Sequence, residues 1–287
     1  MAASDENTYV FDTESPTELA RLINQDQLIT RAMGGPLAEQ SSETLLTLHH
    51  ILDLGCGPGG WVLDVAFAFP AVSVEGIDIS HAMVNYARAR AVSQGIKNAT
   101  FRIMDITRPL DFSDASFDLI NARFLTGVLK REAWTPFLLD CTRILRPGGV
   151  LRLTEGISTW TTSSPSLEKG NALGNEFLGL AGYGVQVEGR DDDVFHLIPH
   201  LLHQNGYQNI MRIPHELDVS IETPAWSDFY HNMEVLAYFS KPAIVHMELS
   251  TPEAFDQLMN QIFIEMHAED FRGTWHLTTF SGTKATV

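Results

Sequence analysis

The hydrophobic pattern divides this chain into three stretches. In the first, Leu19, Leu22, Ile23, Ile29 and Met33 fall near one helical face. Ser15-Pro16-Thr17-Glu18 supplies an N-cap serine, a first-turn proline and a glutamate three residues on, which predicts a capping box; Gly34-Gly35-Pro36 ends the helix. In the second stretch, from Ile51 to Glu155, short apolar runs alternate with helical patterns. Ile51–Leu54, Val72–Ile79, Thr100–Ile106, Phe117–Ala122 and Val150–Thr154 predict strands. Trp61–Phe69, His81–Ser93 and Ala133–Leu145 predict helices, the second capped by Ser80 and stopped by Gly95. Strands that are apolar throughout predict a parallel sheet covered on both faces, linked by right-handed crossovers.

Beyond Glu155 the pattern loosens. Ser158–Pro165 predicts a Ser/Thr-rich loop, Ser166–Gly182 a glycine-punctuated helix, and Asp192–Asn205 a helix stopped by Gly206. Ile210–Ile221 and Phe271–Phe280 predict the last two strands. Between them, Trp226–Phe239 and Pro252–Met266 have helical periods, so residues 222–270 predict a cap over the sheet edge. The expected fold is α/β: a doubly wound, mostly parallel seven-stranded sheet with helices on both faces, an N-terminal helix, and a helical cap inserted before the last strand.

Ile51-Leu52-Asp53-Leu54-Gly55-Cys56-Gly57-Pro58-Gly59-Gly60 is a strand entering a glycine-rich turn and then a helix. At the carboxyl end of a first parallel strand, such a turn lies at the binding crevice of a doubly wound sheet. Gly55, Gly57 and Gly60 also satisfy the spacing of dinucleotide-binding turns, and Asp78 can hold a ribose in either case. Three details favour the nucleoside of S-adenosylmethionine over NAD. Asp53 stands where dinucleotide-binding strands are apolar. Pro58 lacks the N–H that a pyrophosphate would seek. Asp105, at the end of the third predicted strand, can meet an adenine amino group.

With the blocks VEGIDIS (Val74–Ser80), MDI (Met104–Ile106), SDASFDLINARF (Ser113–Phe124) and RILRPGGVLRLTE (Arg143–Glu155) following in order, the segment resembles the class I, Rossmann-like S-adenosylmethionine-dependent methyltransferases of the small-molecule or natural-product type. The resemblance implies a cofactor, S-adenosyl-L-methionine, with S-adenosyl-L-homocysteine as product. It implies that Asp53, Gly55 and Gly57 surround the methionine portion. Asp78 would hold the ribose, with Ile79 and Met83 beside the adenosine. Asp105 and Ile106 would meet the adenine, and Asn121 would lie near the methionine end. Tyr9 would close over the cofactor from the N-terminal segment. The implied organisation is an N-terminal helical segment (1–48), a cofactor-binding core (49–156) and a substrate-side lid with the last strands and the cap (157–287). Plain core packing also explains Ile79, Met83 and Ile106, and strand-terminal polarity also explains Asp105 and Asn121.

Methyl transfer from a sulfonium needs alignment more than acid–base help; a base is required only when the acceptor must lose a proton. Glu155, at the end of the fifth predicted strand, and His196 and His200, spaced i, i+4 on a predicted helix, are the candidate bases; His203 and His231 are further histidines. No metal site is expected. Asp191-Asp192-Asp193 reads as a helix cap rather than a cation site. The functional expectation is an enzyme of the EC 2.1.1 class that methylates an O, C or N atom of a small-molecule acceptor. The same fold also accommodates a non-methylating reaction such as a cyclisation, or a non-catalytic binding role.

Charge changes the picture only by exclusion. Net charge is −17, from 36 acidic against 19 basic residues, and no basic cluster is present, so nucleic acid and anionic membranes are not expected partners. No apolar run reaches the roughly 20 residues of a membrane span. MAASDENTYV lacks the basic and apolar parts of a secretory signal, which points to the cytoplasm. Cys56 and Cys141 are too few for a disulfide framework and read as reduced and structural, and a homo-oligomer is compatible with all of this.

Overall fold

The structure is a computed structural model that describes residues 14–156, 160–184 and 194–286. Tyr9 and Asp191–Asp193 lie outside the described residues, as does the side chain of His196.

The N-terminal helix, α1 (Pro16–Ala32), and the short α2 (Ser42–Thr47) precede the alternating core. There β1 (His50–Leu54), α3 (Gly60–Ala68), β2 (Ser73–Asp78), α4 (His81–Gln94), β3 (Ala99–Ile103), β4 (Phe117–Arg123), α5 (Trp134–Ile144) and β5 (Leu145–Glu155) follow one another. The remaining elements are β6 (Trp160–Thr162), α6 (Pro165–Leu180), α7 (Val194–Gln204), β7 (Tyr207–Asp218), α8 (Trp226–His246), α9 (Pro252–Met266) and β8 (Gly273–Lys284). Strand order is β3-β2-β1-β4-β5-β8-β6, with β7 also paired to β8. The first five strands are mutually parallel, and β8 runs antiparallel to β5, β6 and β7. None of the described helices is long and apolar enough to cross a membrane.

The sheet has eight strands rather than the expected seven. The extra one, β6, falls in the predicted Ser/Thr-rich loop, where Trp160–Thr162 pairs with Gly273–Trp275 of β8. Three residues carry too little pattern to announce a strand; the partner strand creates it. At α4, Ser80 accepts from the Met83 amide at 3.2 Å and Gly95 closes the helix at φ 69°, as the sequence predicts. The predicted capping box at α1 does not form. Ser15 makes no side-chain cap, and the Glu18 carboxylate that would reach back to the Ser15 amide is held instead by Arg21, at 2.6 and 2.7 Å. α8 continues past Phe239 and through Pro242, where Ile244 packs with Phe177 and Phe255 and anchors the final turns.

Leu52, Leu54, Ile120, Leu151 and Leu153 form the apolar core with α5 and α7 on one face of the sheet. Ile51, Leu119 and Val150 on the other face pack with α3 and α4. Farther along that second face the strands turn polar. Asp53, Asn121 and Arg152 are adjacent register partners on β1, β4 and β5. Asn121 Nδ2 donates to Asp53 Oδ1 at 2.7 Å, Arg152 donates to Asn121 Oδ1 at 2.5 Å, and Glu39 receives the Arg152 Nε–H at 2.5 Å. The row is buried, so each member depends on its neighbours for hydrogen bonds. Arg152→Ala should strand the Glu39 carboxylate and lower unfolding free energy by about 3–5 kcal/mol. Urea denaturation reads this, and a loss below about 1 kcal/mol would contradict the buried pairing.

Candidate active site

The turn after β1 takes three left-handed glycines, Gly55 (φ 69°), Gly57 (φ 51°) and Gly59 (φ 75°), a conformation that side chains resist. Asp78, at the end of β2, locks it: one carboxylate oxygen accepts from Gly57 N at 2.8 Å and the other from Ser80 N at 2.9 Å. Burial raises the Asp78 pKa, and the amides of Ser80 and Gly57 act against the rise. A Cβ added at Gly55 meets nothing within 4 Å; it would project into open space.

That space is a cleft at the carboxyl ends of β1, β2 and β4. It brings together Gly55, Gly57, Asp78, Ile79, Met83, Asp105 and Ile106. Glycine backbone for close approach, two carboxylates and apolar side chains suit a nucleoside with a charged tail. Asp105 does not end β3, which stops at Ile103; it lies in a turn, accepting from Thr107 N at 2.8 Å and Thr107 Oγ1 at 2.7 Å. Asp53 and Asn121 do not line the cleft. They lie below it, bonded to each other, because their register makes them neighbours. Burial raises the Asp53 pKa to about 7, against the opposing charge of Arg123 and the Asn121 hydrogen bond.

Several lining residues escaped the sequence reading. α1 contributes Leu22, Gln25 and Asp26, and the end of β4 contributes Arg123 and Phe124. Asp26 forms an ion pair with Arg123. A Cβ at Gly60 would lie 1.7 Å from Asp26 Oδ2, so only glycine admits the carboxylate against the first residue of α3. Asp26 shares the buried side of α1 with Glu18 and Arg21, and a charge in such a helix cannot announce a partner nearly a hundred residues away.

A second cleft opens inside the cap formed by α6, α8 and α9. Its walls are mainly apolar, among them Phe177, Met233, Leu236, Phe255, Met259 and Trp275. Gln25 and Phe124 line both clefts, so the two spaces adjoin at these side chains. Arg21 at its edge is held by Glu18 and donates to Asn232 Oδ1 of α8 at 2.8 Å.

Glu155 does not face either cleft. It is fully buried; Oε1 accepts from Leu125 N at 2.8 Å, and Oε2 from Thr126 N and Oγ1 at 3.3 and 2.7 Å. It fastens the tight turn Leu125–Gly127 that follows β4, and the expectation of a base at the substrate rim is corrected accordingly. His196 and His200 belong to α7, whose helix packs against β7 and β8, and His200 is exposed and outside both clefts. The end of α7 leads into Tyr207, paired with Lys284 at the edge of the sheet remote from the glycine turn. His231 is exposed and pairs with Glu234 at 2.8 Å.

Comparison with known proteins finds similarity over the alternating core. Residues 51–149 match the family model described as a methyltransferase domain. Over these residues the core is similar to methyltransferases. A demethylmenaquinone methyltransferase of Lactococcus lactis is 32% identical over 123 residues, 42% of this chain and 45% of that protein. The chain thus spans about half the length of the curated relatives it matches, 37–59% for the first four. In fold, the chain resembles the Bacillus subtilis YcgJ protein (TM-score 0.54, 20% identity, 83% of this chain and 92% of that one). It also resembles phosphoethanolamine N-methyltransferase 2 of Haemonchus contortus, solved with phosphomonomethylethanolamine and S-adenosylhomocysteine (TM-score 0.51, 18% identity, 96% of this chain and 60% of that one).

Burial raises the Glu155 pKa from 4.5 to about 7, outweighing the hydrogen bonds from Thr126 and Leu125. A raised acid binds more protons folded than unfolded, so its contribution is complete below about pH 4.5 and is lost as pH rises through about 7. The full swing is on the order of 3 kcal/mol. Glu155→Gln should flatten this part of the stability-against-pH curve, as followed by chemical denaturation at several pH values. An unchanged slope would refute the titration.

Proposed function

We propose that this protein transfers a methyl group from S-adenosyl-L-methionine to a small, mainly apolar molecule held in the cap. The observation that carries the reading is the meeting of the two clefts at Gln25 and Phe124, which sets a nucleoside-shaped space against an apolar one.

In the first cleft, Asp78 would accept from the ribose hydroxyls, and Ile79 and Met83 would pack on the adenosine. Ile106 and Asp105 would meet the adenine ring and its amino group. Gly55 and Gly57 would let the methionine portion approach the backbone. The Asp26–Arg123 pair presents one charge of each sign to that cleft, which matches an ammonium and a carboxylate on the same ligand. Bound there, the sulfonium supplies an electrophilic methyl carbon: the acceptor's electron pair makes the new bond, and the sulfur keeps the pair of the broken one. Alignment across Gln25 and Phe124 and exclusion of water are the protein's share of the rate.

No histidine, aspartate or glutamate is among the described residues lining the second cleft, and its one cation, Arg21, already holds Glu18. The acceptor therefore arrives as its own nucleophile, and any proton it loses passes to water.

Asp78→Ala should weaken S-adenosylhomocysteine binding at least about tenfold, corresponding to one lost pair of hydrogen bonds to an ionised group, while the protein stays folded by circular dichroism. Calorimetry reads the affinity, and an unchanged value would remove the ribose assignment. With two acceptors that differ in their own ionisation, the pH–rate profile should move with the acceptor. A midpoint common to both would reveal a protein base instead.

A further inference from the structure

Polar groups in a protein interior find partners, and those that do not mark a place where something else supplies them. The tryptophans make this plain. The chain has five. Trp61 donates its indole N–H to Pro36 O (2.9 Å), Trp134 to Gly184 O (2.9 Å), Trp226 to Met266 O (3.0 Å) and Trp275 to Gly156 O (2.6 Å). Trp160 differs: its Nε1 is buried and has no partner among the described residues. Its ring cannot simply turn to find one. β6 is held in register against β8, and Phe229 and Trp275 both pack edge-on against the ring, at 5.6 and 6.0 Å.

A second orphan lines the same cleft. Asn171, on α6, has a buried Oδ1 without a partner among the described residues. Other asparagines of the interior are engaged: Asn121 with Asp53 and Arg152, Asn232 with Arg21, and Asn98 with three backbone carbonyls. Among the described residues lining the second cleft, two buried polar atoms thus lack a partner, one a donor and one an acceptor, both neutral and set in mainly apolar walls. An anionic ligand would find no unpaired cation among the described lining residues, because Arg21 is held by Glu18.

Resting on the methyl-transfer reading, we infer that Trp160 and Asn171 select the acceptor. They fit a neutral, largely apolar molecule that carries a carbonyl-type oxygen for the Trp160 N–H and a hydroxyl or N–H for Asn171 Oδ1. These two side chains are specificity-determining residues. They set which molecules fit and in what orientation, and the reacting atom of the acceptor faces the junction at Gln25 and Phe124.

The test measures binding to the full chain in the presence of S-adenosylhomocysteine, by calorimetry. The probes are 2-ethylnaphthalene, 2-acetylnaphthalene, 2-naphthol and the positional isomers of acetylnaphthol. An acetylnaphthol should bind about tenfold or more tightly than 2-ethylnaphthalene, since each neutral hydrogen bond adds a factor of several. Trp160→Phe should erase the advantage of the ketone, and Asn171→Leu that of the hydroxyl. Both should keep the wild-type affinity for 2-ethylnaphthalene, which also shows that the cleft is intact. If 2-ethylnaphthalene binds wild type but no polar probe gains, or if the gains survive both substitutions, the selection is refuted while the cap remains an acceptor chamber. If 2-ethylnaphthalene itself does not bind, the acceptor chamber and the selection fall together.

Discussion

The ion pair between Asp26 and Arg123 is the joint on which both clefts depend. It fixes α1 to the end of β4, and α1 is the wall the two clefts have in common. One carboxylate does this from a position where Gly60 leaves room for it against the start of α3. A turn and a half earlier on α1, Arg21 binds Asn232 of α8, so the same helix is tied to the sheet at one end and to the cap at the other. Without that bridge, the cleft at the glycine turn would lose Leu22, Gln25 and Asp26, and the apolar cleft would lose its edge beside Phe124.

Buried charge is expensive, and two opposed charges offset its desolvation only when their remaining hydrogen-bonding capacity is also met. The polar face of the sheet meets that condition by register. Asp53, Asn121 and Arg152 stand side by side on β1, β4 and β5, and Glu39 closes the row from above. The Arg152 guanidinium lies 6.0 Å from the centre of the Trp61 ring, which gives it a favourable apolar neighbour as well. A row of this kind tolerates no slip of one residue, because any slip would carry each charge to the apolar face of the sheet. It therefore holds the ends of β1 and β4 in fixed relation, and those ends carry the glycine turn and Arg123.

Local features were legible in the sequence because their causes are local. The alternation from Ile51 to Glu155 announces the parallel core, and Gly55, Gly57 and Asp78 announce the cleft, since backbone conformation and the end of a strand are set within a few residues. The features that sequence reading misplaced have distant causes. Ser15 and Glu18 have the right spacing for a cap, but Arg21 takes the glutamate. Glu155 ends a strand at the expected height, yet its side chain turns toward the Leu125–Gly127 segment rather than the cleft. Asn121 and Asp53 have the right polarity and point into one another. β6 exists only because β8 offers an edge to it. Asp26, Gln25 and Arg123, from opposite ends of the core in sequence, meet only once the chain has folded.

The two clefts differ in how completely their polar groups are satisfied, and that difference has a physical sense. Around the glycine turn, Asp78 and Asp105 each already accept hydrogen bonds from the chain, and Asp26 already holds Arg123. A ligand entering there adds to groups that are pre-oriented, so little ordering is needed on binding. In the cap, apolar walls from three helices give affinity without direction, because hydrophobic contact is not directional. Direction can come only from polar atoms whose capacity is unspent. Trp160, clamped by Phe229 and Trp275 but unbonded at Nε1, is the clearest such atom. Rigid placement with an open hydrogen-bonding position is the combination that orients a bound molecule, and orientation is what an in-line displacement requires.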